Sequence, residues 1–290
     1  MSSVRFQKSG CTQSSTMPNV TPLSQRMHPE RLRCVEAALA GFPCGIFRGK
    51  TIVVTGSRGY LGRYLVEAFL LLNEKHGLDI SIFALDSNAL KLREDLSDWL
   101  DLPKLCMYKH HLEHTIGMLG TTRVDYVFHL AGIASPFWYK QLPLETIVVA
   151  VEGTKHMLEL AKQHGARFLF TSSSEVYQTA SITPTPESYV GAVPSDTDRS
   201  CYDVSKLMAE TLCYVYVTKY NAHATVVRIF NSFGPGMAQS DRRILTRIAE
   251  AVKHNKQVMV YGNNPNALPR RTYTPVANTL RGVLYAAAHG

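Results

Sequence analysis

The chain has 290 residues, 45% of them hydrophobic and 19% charged, with a formal net charge of +8. That balance supplies a globular core and is long enough for one large α/β domain, or for a nucleotide domain with a small appended lobe. No apolar run reaches the ~18 residues needed to span a bilayer, and no zinc-finger, RNA-recognition or helix-turn-helix signature accompanies the charge, so neither membrane nor nucleic acid is an expected partner.

The positive charge instead suits an anionic substrate such as a nucleotide diphosphate. Cys11, Cys34, Cys44, Cys106, Cys201 and Cys213 are scattered without a C-x-x-C pair. This argues against a structural zinc or a disulfide framework and for reduced thiols in a cytoplasmic protein. The first 29 residues contain no Asp or Glu but include Arg5, Lys8 and Arg26. They resemble a transit peptide in composition and are read as a disordered tail, or as upstream of a true start at Met17 or Met27. The whole of residues 1–48 is expected to be tail and lead-in helix.

From Lys50 the chain alternates short apolar runs with helical stretches, which predicts an α/β fold with a doubly wound parallel (Rossmann) sheet. Strands are expected at 51–55, 80–85, 105–109, 126–130, 167–170 and 225–229, and helices at 59–73, 144–164 and 203–220. The strands are apolar throughout, as strands covered on both faces are. After Phe230 the rhythm breaks into a Gly- and Pro-rich stretch, a helix near 243–254, a strand at 258–261 and a polar loop at 262–269. Residues 49–230 are therefore read as the dinucleotide domain, and 231–290 mainly as a substrate lobe to which 183–198 contributes.

Directly after the first strand stands Thr55-Gly56-Ser57-Arg58-Gly59-Tyr60-Leu61-Gly62. Glycines there allow a tight turn, backbone approach to a pyrophosphate and close helix–sheet packing, with the helix N-terminus facing the phosphates. Asp86 ends the second strand, where a carboxylate accepts hydrogen bonds from ribose hydroxyls and repels a 2′-phosphate, favouring NAD; Lys91 and Arg93 lie slightly further on. Leu130-Ala131-Gly132 supplies small residues at the fourth strand end. Tyr202 and Lys206, spaced i, i+4, share a helix face, and the ammonium is expected to lower the phenol pKa toward a working base. Ser173, in a serine-rich turn, can hydrogen-bond the reacting oxygen beside Tyr202.

These stretches, with His129-Leu130-Ala131-Gly132 and Arg228-Ile229-Phe230-Asn231, resemble the extended short-chain dehydrogenases/reductases, the NAD-dependent epimerase/dehydratase family. The resemblance covers about Lys50 to Gly290. It implies tightly held NAD that takes hydride from a nucleotide sugar and returns it, and a homodimer through the helices near 144–164 and 203–220. Gly56, Gly59, Tyr60, Leu61, Gly62, Asp86, Leu130, Ala131, Gly132, Tyr202 and Lys206 would face the cofactor, with Tyr202, Lys206, Ser173 and Glu175 catalytic.

Within the family, Ala134-Ser135-Pro136, Ser174-Glu175-Val176-Tyr177, Arg199-Ser200-Cys201-Tyr202-Asp203 and Asn231-Ser232-Phe233-Gly234-Pro235 are most similar to UDP-glucuronate decarboxylases. A 4,6-dehydratase needs an acid for the departing hydroxyl, and the position that would carry that Asp is Ser174. The resemblance implies Ser135, Asn231, Arg243 and Arg271 as substrate contacts, the two arginines at the diphosphate. The alternatives are a 4,6-dehydratase, a 4-epimerase, or a non-catalytic NAD sensor. Gly236, His111 and Ala150 depart from the family pattern (Arg, Asp and Asn), and the end at Gly290 is read as a truncated lobe.

Overall fold

The computed structural model describes residues 21–87, 99, 102–109, 111–112, 122–178, 180–238, 241–258 and 271–290. Two short helices, α1 (Leu23–Arg26) and α2 (Pro29–Leu39), and a 3₁₀ turn (Cys44–Phe47) precede β1 (Thr51–Thr55). Then follow α3 (Tyr60–His76), β2 (Ser81–Asp86), β3 (Leu105–Lys109), β4 (Tyr126–His129), α4 (Pro136–Gln141), α5 (Pro143–His164) and β5 (Arg167–Ser173). A 3₁₀ turn (Ser174–Tyr177), α6 (Ser200–Tyr220), β6 (His223–Ile229), β7 (Asn231–Phe233), α7 (Ile244–Lys253), β8 (Tyr273–Pro275) and α8 (Val276–His289) complete the order.

The six long strands form one parallel sheet in the order β3-β2-β1-β4-β5-β6. This is the expected doubly wound sheet, with its order reversing between β1 and β4. Ligands of such sheets bind outside the strand ends at that reversal. The register sets Thr55 beside His129, bringing the residues after β1 and β4 together.

The period of two along β1 explains its apolar centre, Ile52–Val54, whose alternate residues face two different cores. Ile52 and Val54 join one core with α2, α3 and α8; Val53 joins a second with Met157 of α5 and Ala209 of α6. Phe47, Phe69 and Phe128 meet edge-on or tilted in the first core, with centroids 5.1 and 5.4 Å apart along that chain. All three are fully buried, each stabilising the fold by roughly 1.5–3 kcal/mol.

Three features went beyond the sequence reading. The short strands β7 and β8 pair in parallel outside the main sheet. Helix α8 lies in the stretch read mainly as substrate lobe, yet Val276, Leu280, Val283 and Leu284 pack in the first main core. Cys34, Cys44, Cys201 and Cys213 are free thiols, but Cys106 is disulfide-bonded, against the expectation of reduced thiols throughout. Spacing along a chain does not say which thiols meet in space. Among the described residues no helix is long and apolar enough to cross a membrane. The expected tail through residue 20, most of the strand at 258–261 and the loop at 262–269 lie outside the described residues.

Candidate active site

Gly56 turns the chain out of β1 with φ +66°, and a Cβ there would lie 2.8 Å from the backbone N and Cα of Ala131. The two strand ends therefore approach as closely as only glycine permits. Gly62 lies against the Gly56 carbonyl, so that any Cβ would collide with it and lift α3 from the turn. Gly59 N–H donates to Gly56 O at 2.9 Å, and Ser57 N–H donates to Leu85 O at 3.2 Å, tying the turn to β2. Tyr60 and Leu61 open α3, whose N-terminus faces this turn.

Asp86, at the end of β2, accepts from the Arg58 backbone N–H at 3.2 Å, and Arg58 Nε lies 3.7 Å from its other oxygen. The carboxylate thus shapes the glycine turn as well as standing at the strand end. Lys91 and Arg93 lie outside the described residues.

His129 is fully buried between the two cores. The Thr154 hydroxyl donates to Ala150 O at 2.5 Å, so it accepts from His129 Nε2–H at 3.1 Å. His129 Nδ1 then accepts from Thr55 Oγ1 at 2.8 Å, and Thr55 Oγ1 accepts from Ala131 N–H at 3.2 Å. One continuous relay therefore fixes the start of Leu130-Ala131-Gly132. Burial, reinforced by the nearby Lys206 charge, pushes the imidazole pKa down to about 3. The sequence reading quoted His129 only within a motif; a lone polar residue ending an apolar strand was the available signal.

Tyr202 and Lys206 do share a face of α6. Lys206 is buried, donates from Nζ to Thr171 O at 2.8 Å, and lies 3.6 Å from where Gly132 would carry a Cβ. Burial lowers its pKa to about 8. Tyr202 is buried on α6, stacked on Tyr139 of α4 with centroids 5.2 Å apart and planes 10° apart.

The expected lowering of the Tyr202 pKa by Lys206 is not what the structure shows. Burial raises it, while a hydrogen bond with Ser173 and the charge of Arg243 pull it down. Lys206 Nζ stands 5.9 Å from the ring centroid and donates one proton to Thr171 O, while the carboxylates of Glu175 and Asp203 add to the effect of burial on the phenol.

Ser173 ends β5 and accepts from Glu175 N–H at 3.2 Å. Glu175 itself is ion-paired with Arg199, whose Nε lies 3.5 Å from Asp203. Gln178 donates to the same Asp203 oxygen at 3.0 Å, so the carboxylates around Tyr202 are held by Arg199 and Gln178. Neither was assigned a role from sequence, although Arg199 stands in the quoted motif. Arg228 grips Glu210 of α6 through two nitrogens at 2.9 and 2.7 Å, and donates at 3.0 Å to Glu187 O in the 183–198 loop.

The expected substrate contacts are partly assembled. Arg243 precedes α7, is clamped by Asp241, and acts electrostatically on both Tyr202 and Tyr60. The hydroxyls of Ser135 and Tyr139 are buried and have no hydrogen-bond partner among the described residues. Asn231 Nδ2 donates to Thr272 O at 3.0 Å across the β7–β8 pair. Arg271 is exposed just before β8. The structure does not bring Asn231 or Arg271 into contact with Tyr202.

Several comparisons bear on this arrangement. The sequence model of the NAD dependent epimerase/dehydratase family matches residues 52–290. UDP-glucuronic acid decarboxylase 3 of Arabidopsis thaliana is 38% identical over 203 residues, 70% of this chain and 57% of that protein. UDP-glucuronic acid decarboxylase 1 of Xenopus tropicalis is 31% identical over 235 residues, 81% of this chain and 53% of that protein. The chain thus spans about half the length of these relatives.

Among solved structures, a UDP-N-acetylglucosamine 4-epimerase from Methanobrevibacter ruminantium superposes with TM-score 0.69 at 22% identity, covering 83% of this chain and 74% of that one. A UDP-glucuronic acid 4-epimerase from Bacillus cereus gives TM-score 0.67 at 22% identity, covering 83% and 73%. These likenesses show the shared fold.

Proposed function

The chain belongs to the NAD-dependent epimerase/dehydratase family, and from that premise we propose that it binds NAD and decarboxylates a UDP-uronate, UDP-glucuronate, through a 4-keto intermediate. The pocket residues fit the cofactor: Gly56, Gly59 and Gly62 let the turn close tightly against β4 and the start of α3, where a pyrophosphate would meet the helix N-terminus, and Asp86 ends β2, where a carboxylate would meet the ribose. Tyr60, Leu61, Leu130, Ala131 and Gly132 line the same switch point, with Lys206 beneath Gly132. Bound NAD would supply a hydride acceptor for C4 of the sugar and later return the hydride.

Tyr202, steered by Ser173 and Arg243, takes the proton of the C4 hydroxyl as the carbon is oxidised. In the resulting β-keto acid the carboxylate leaves as carbon dioxide, its bonding pair passing to C5 and onto the C4 oxygen. Ser173 and Tyr202 hydrogen-bond that oxygen. Ser135, Asn231, Arg243 and Arg271 hold the sugar and diphosphate, the arginines as charge-assisted donors. Residues 49–230 are assigned to the cofactor side, and 231–290 mainly, with 183–198, to the substrate side.

One observation carries decarboxylation over dehydration. The acids beside Tyr202, Glu175 and Asp203, are both held by Arg199, while the position next to Glu175 that would carry a dehydratase's Asp is Ser174. A departing hydroxyl needs a proton donor there, and departing carbon dioxide does not. The similarity to UDP-glucuronic acid decarboxylases points the same way.

The test is mass spectrometry after incubating purified protein with UDP-glucuronate and NAD. A product lighter by one carbon dioxide, with no net NADH, is expected. Unchanged substrate from folded, NAD-bound protein would refute the assignment; loss of water or epimerisation of hexose nucleotides would then identify the reaction.

Assembly as a homodimer is part of the proposal. Leu144, Ile147 and Val148 on α5 and Val204, Leu207 and Met208 on α6 are exposed apolar residues on two helices that pack together. Light scattering of wild type and Leu207→Glu should give a dimer and a monomer. A cytoplasmic location is proposed on the four free thiols, Cys34, Cys44, Cys201 and Cys213, against which the disulfide at Cys106 weighs.

A further inference from the structure

Helix α2 lies wholly before residue 52, where the family match begins. It is nonetheless built into the substrate-side wall. Its Arg31 forms a buried ion pair with Glu67 of α3, which Arg63 also approaches at 3.2 Å. Short of that pair, the Arg31 stem runs against the turn at 236: its Cδ would lie 3.1 Å from a Cβ on Gly236, whose φ is +84°. One turn along α2, Cys34 packs against the core beside Tyr64, whose hydroxyl donates to Pro235 O at 2.8 Å. Two independent contacts from α2 therefore converge on the same turn, one directly and one through Tyr64.

That turn follows β7, which carries Asn231, and leads to Arg243. Tyr60, which stacks edge-on with Tyr64 at 5.5 Å, also feels the Arg243 charge. The far end of α2 is strapped down separately: Arg281 of α8 donates to Ala37 O, Ala38 O and Ala40 O at 2.7, 3.2 and 2.6 Å. A helix anchored at one end to α8 and pressing with its other end on residues 235–236 is a strut.

We infer that α2, through Arg31 and Cys34, is a positioning element that fixes the wall at 234–238 and 241–243 and with it the aim of Arg243. The coupling itself is independent of the ligand; that the wall receives a nucleotide sugar rests on the function proposed above. Removing Arg31 alone would leave the buried Glu67 carboxylate with Arg63 and without its second ion-pair partner, destabilising the chain without isolating the contact. The informative variants are Arg31→Ala/Glu67→Gln, which removes charge and stem, and Arg31→Met/Glu67→Gln, which removes the charge but keeps an unbranched apolar stem.

Hydrogen exchange of the full chain, read by mass spectrometry, tests the coupling. In Arg31→Ala/Glu67→Gln, amides in 234–247 should exchange roughly tenfold faster than in wild type while those of β1, β4 and β5 stay unchanged. Arg31→Met/Glu67→Gln should remain close to wild type. Titration of UDP and of NAD by calorimetry then reads function: UDP affinity should fall about tenfold in the alanine variant with NAD affinity unaltered. Exchange equal to wild type, or faster uniformly across the sheet, would overturn the inference, because α2 would then be separate from the wall or only generally stabilising. Faster exchange at 234–247 in protein whose wild type binds no UDP would uphold the coupling and overturn the substrate reading.

Discussion

Replacing His129 with glutamine should remove a specific part of the acid sensitivity of this fold. The folded-state pKa is about 3, against 6.5 for a free imidazole. Between those values the unfolded chain binds a proton here that the folded chain does not, so stability is lost as pH falls through that window. The slope is ~1.36 kcal/mol per pH unit, which gives about 2 kcal/mol between pH 6.5 and 5. The mechanism is plain from the contacts. Nδ1 is occupied as an acceptor from Thr55, and the ring is enclosed beside the Lys206 ammonium, so a second ring proton has neither partner nor solvent.

His129→Gln will itself cost about 1–3 kcal/mol at pH 7 through disturbed hydrogen bonds, but that cost does not titrate. Urea unfolding of cofactor-free wild type and variant at pH 5, 6, 7 and 8 separates the two effects. Wild type should lose about 2 kcal/mol more than the variant between pH 7 and 5, a difference of roughly 1 M in relative midpoint. Parallel pH profiles would refute the reasoning, since they would mean that the ring is protonated or reaches water in the folded state.

The remaining expectations are simpler. Tyr202→Phe should lower turnover by at least about 10²-fold while leaving NAD and UDP affinity intact; retained turnover would remove Tyr202 as the base. Lys206 acts in the same sense at higher pH: its folded pKa of about 8 lies below 10.5, so wild-type stability should rise with pH between those values. Lys206→Met, compared by urea unfolding from pH 7.5 to 9.5, should lack that rise, which approaches ~1.4 kcal/mol per pH unit in wild type. Gly62→Ala drives a Cβ into the Gly56 carbonyl, so it should cost about 1–3 kcal/mol in thermal unfolding and weaken NAD binding more than tenfold in a calorimetric titration.

Local chemistry made most of the fold legible in the sequence. Apolar runs such as Thr51–Thr55 can only be strands covered on both sides, and the glycine turn after the first of them already names a phosphate-facing helix start. Tyr202 and Lys206 were legible because helical spacing of four is a local property. The six strands and the three long helices appear where that periodicity puts them, with ends shifted by a few residues.

What the tertiary structure decided are the relations between segments far apart in the chain. Short-range spacing could suggest that Lys206 tunes Tyr202, but only the folded arrangement shows Lys206 spent on Thr171 O while Ser173 and Arg243 act on the phenol. The commitment of Glu175 to Arg199, 24 positions away, and the reach of Arg31 to Gly236 follow from packing and leave no periodic trace. Helix α8 packs in the main core although the stretch before it lost its regular rhythm, because burial is set by which faces meet in space.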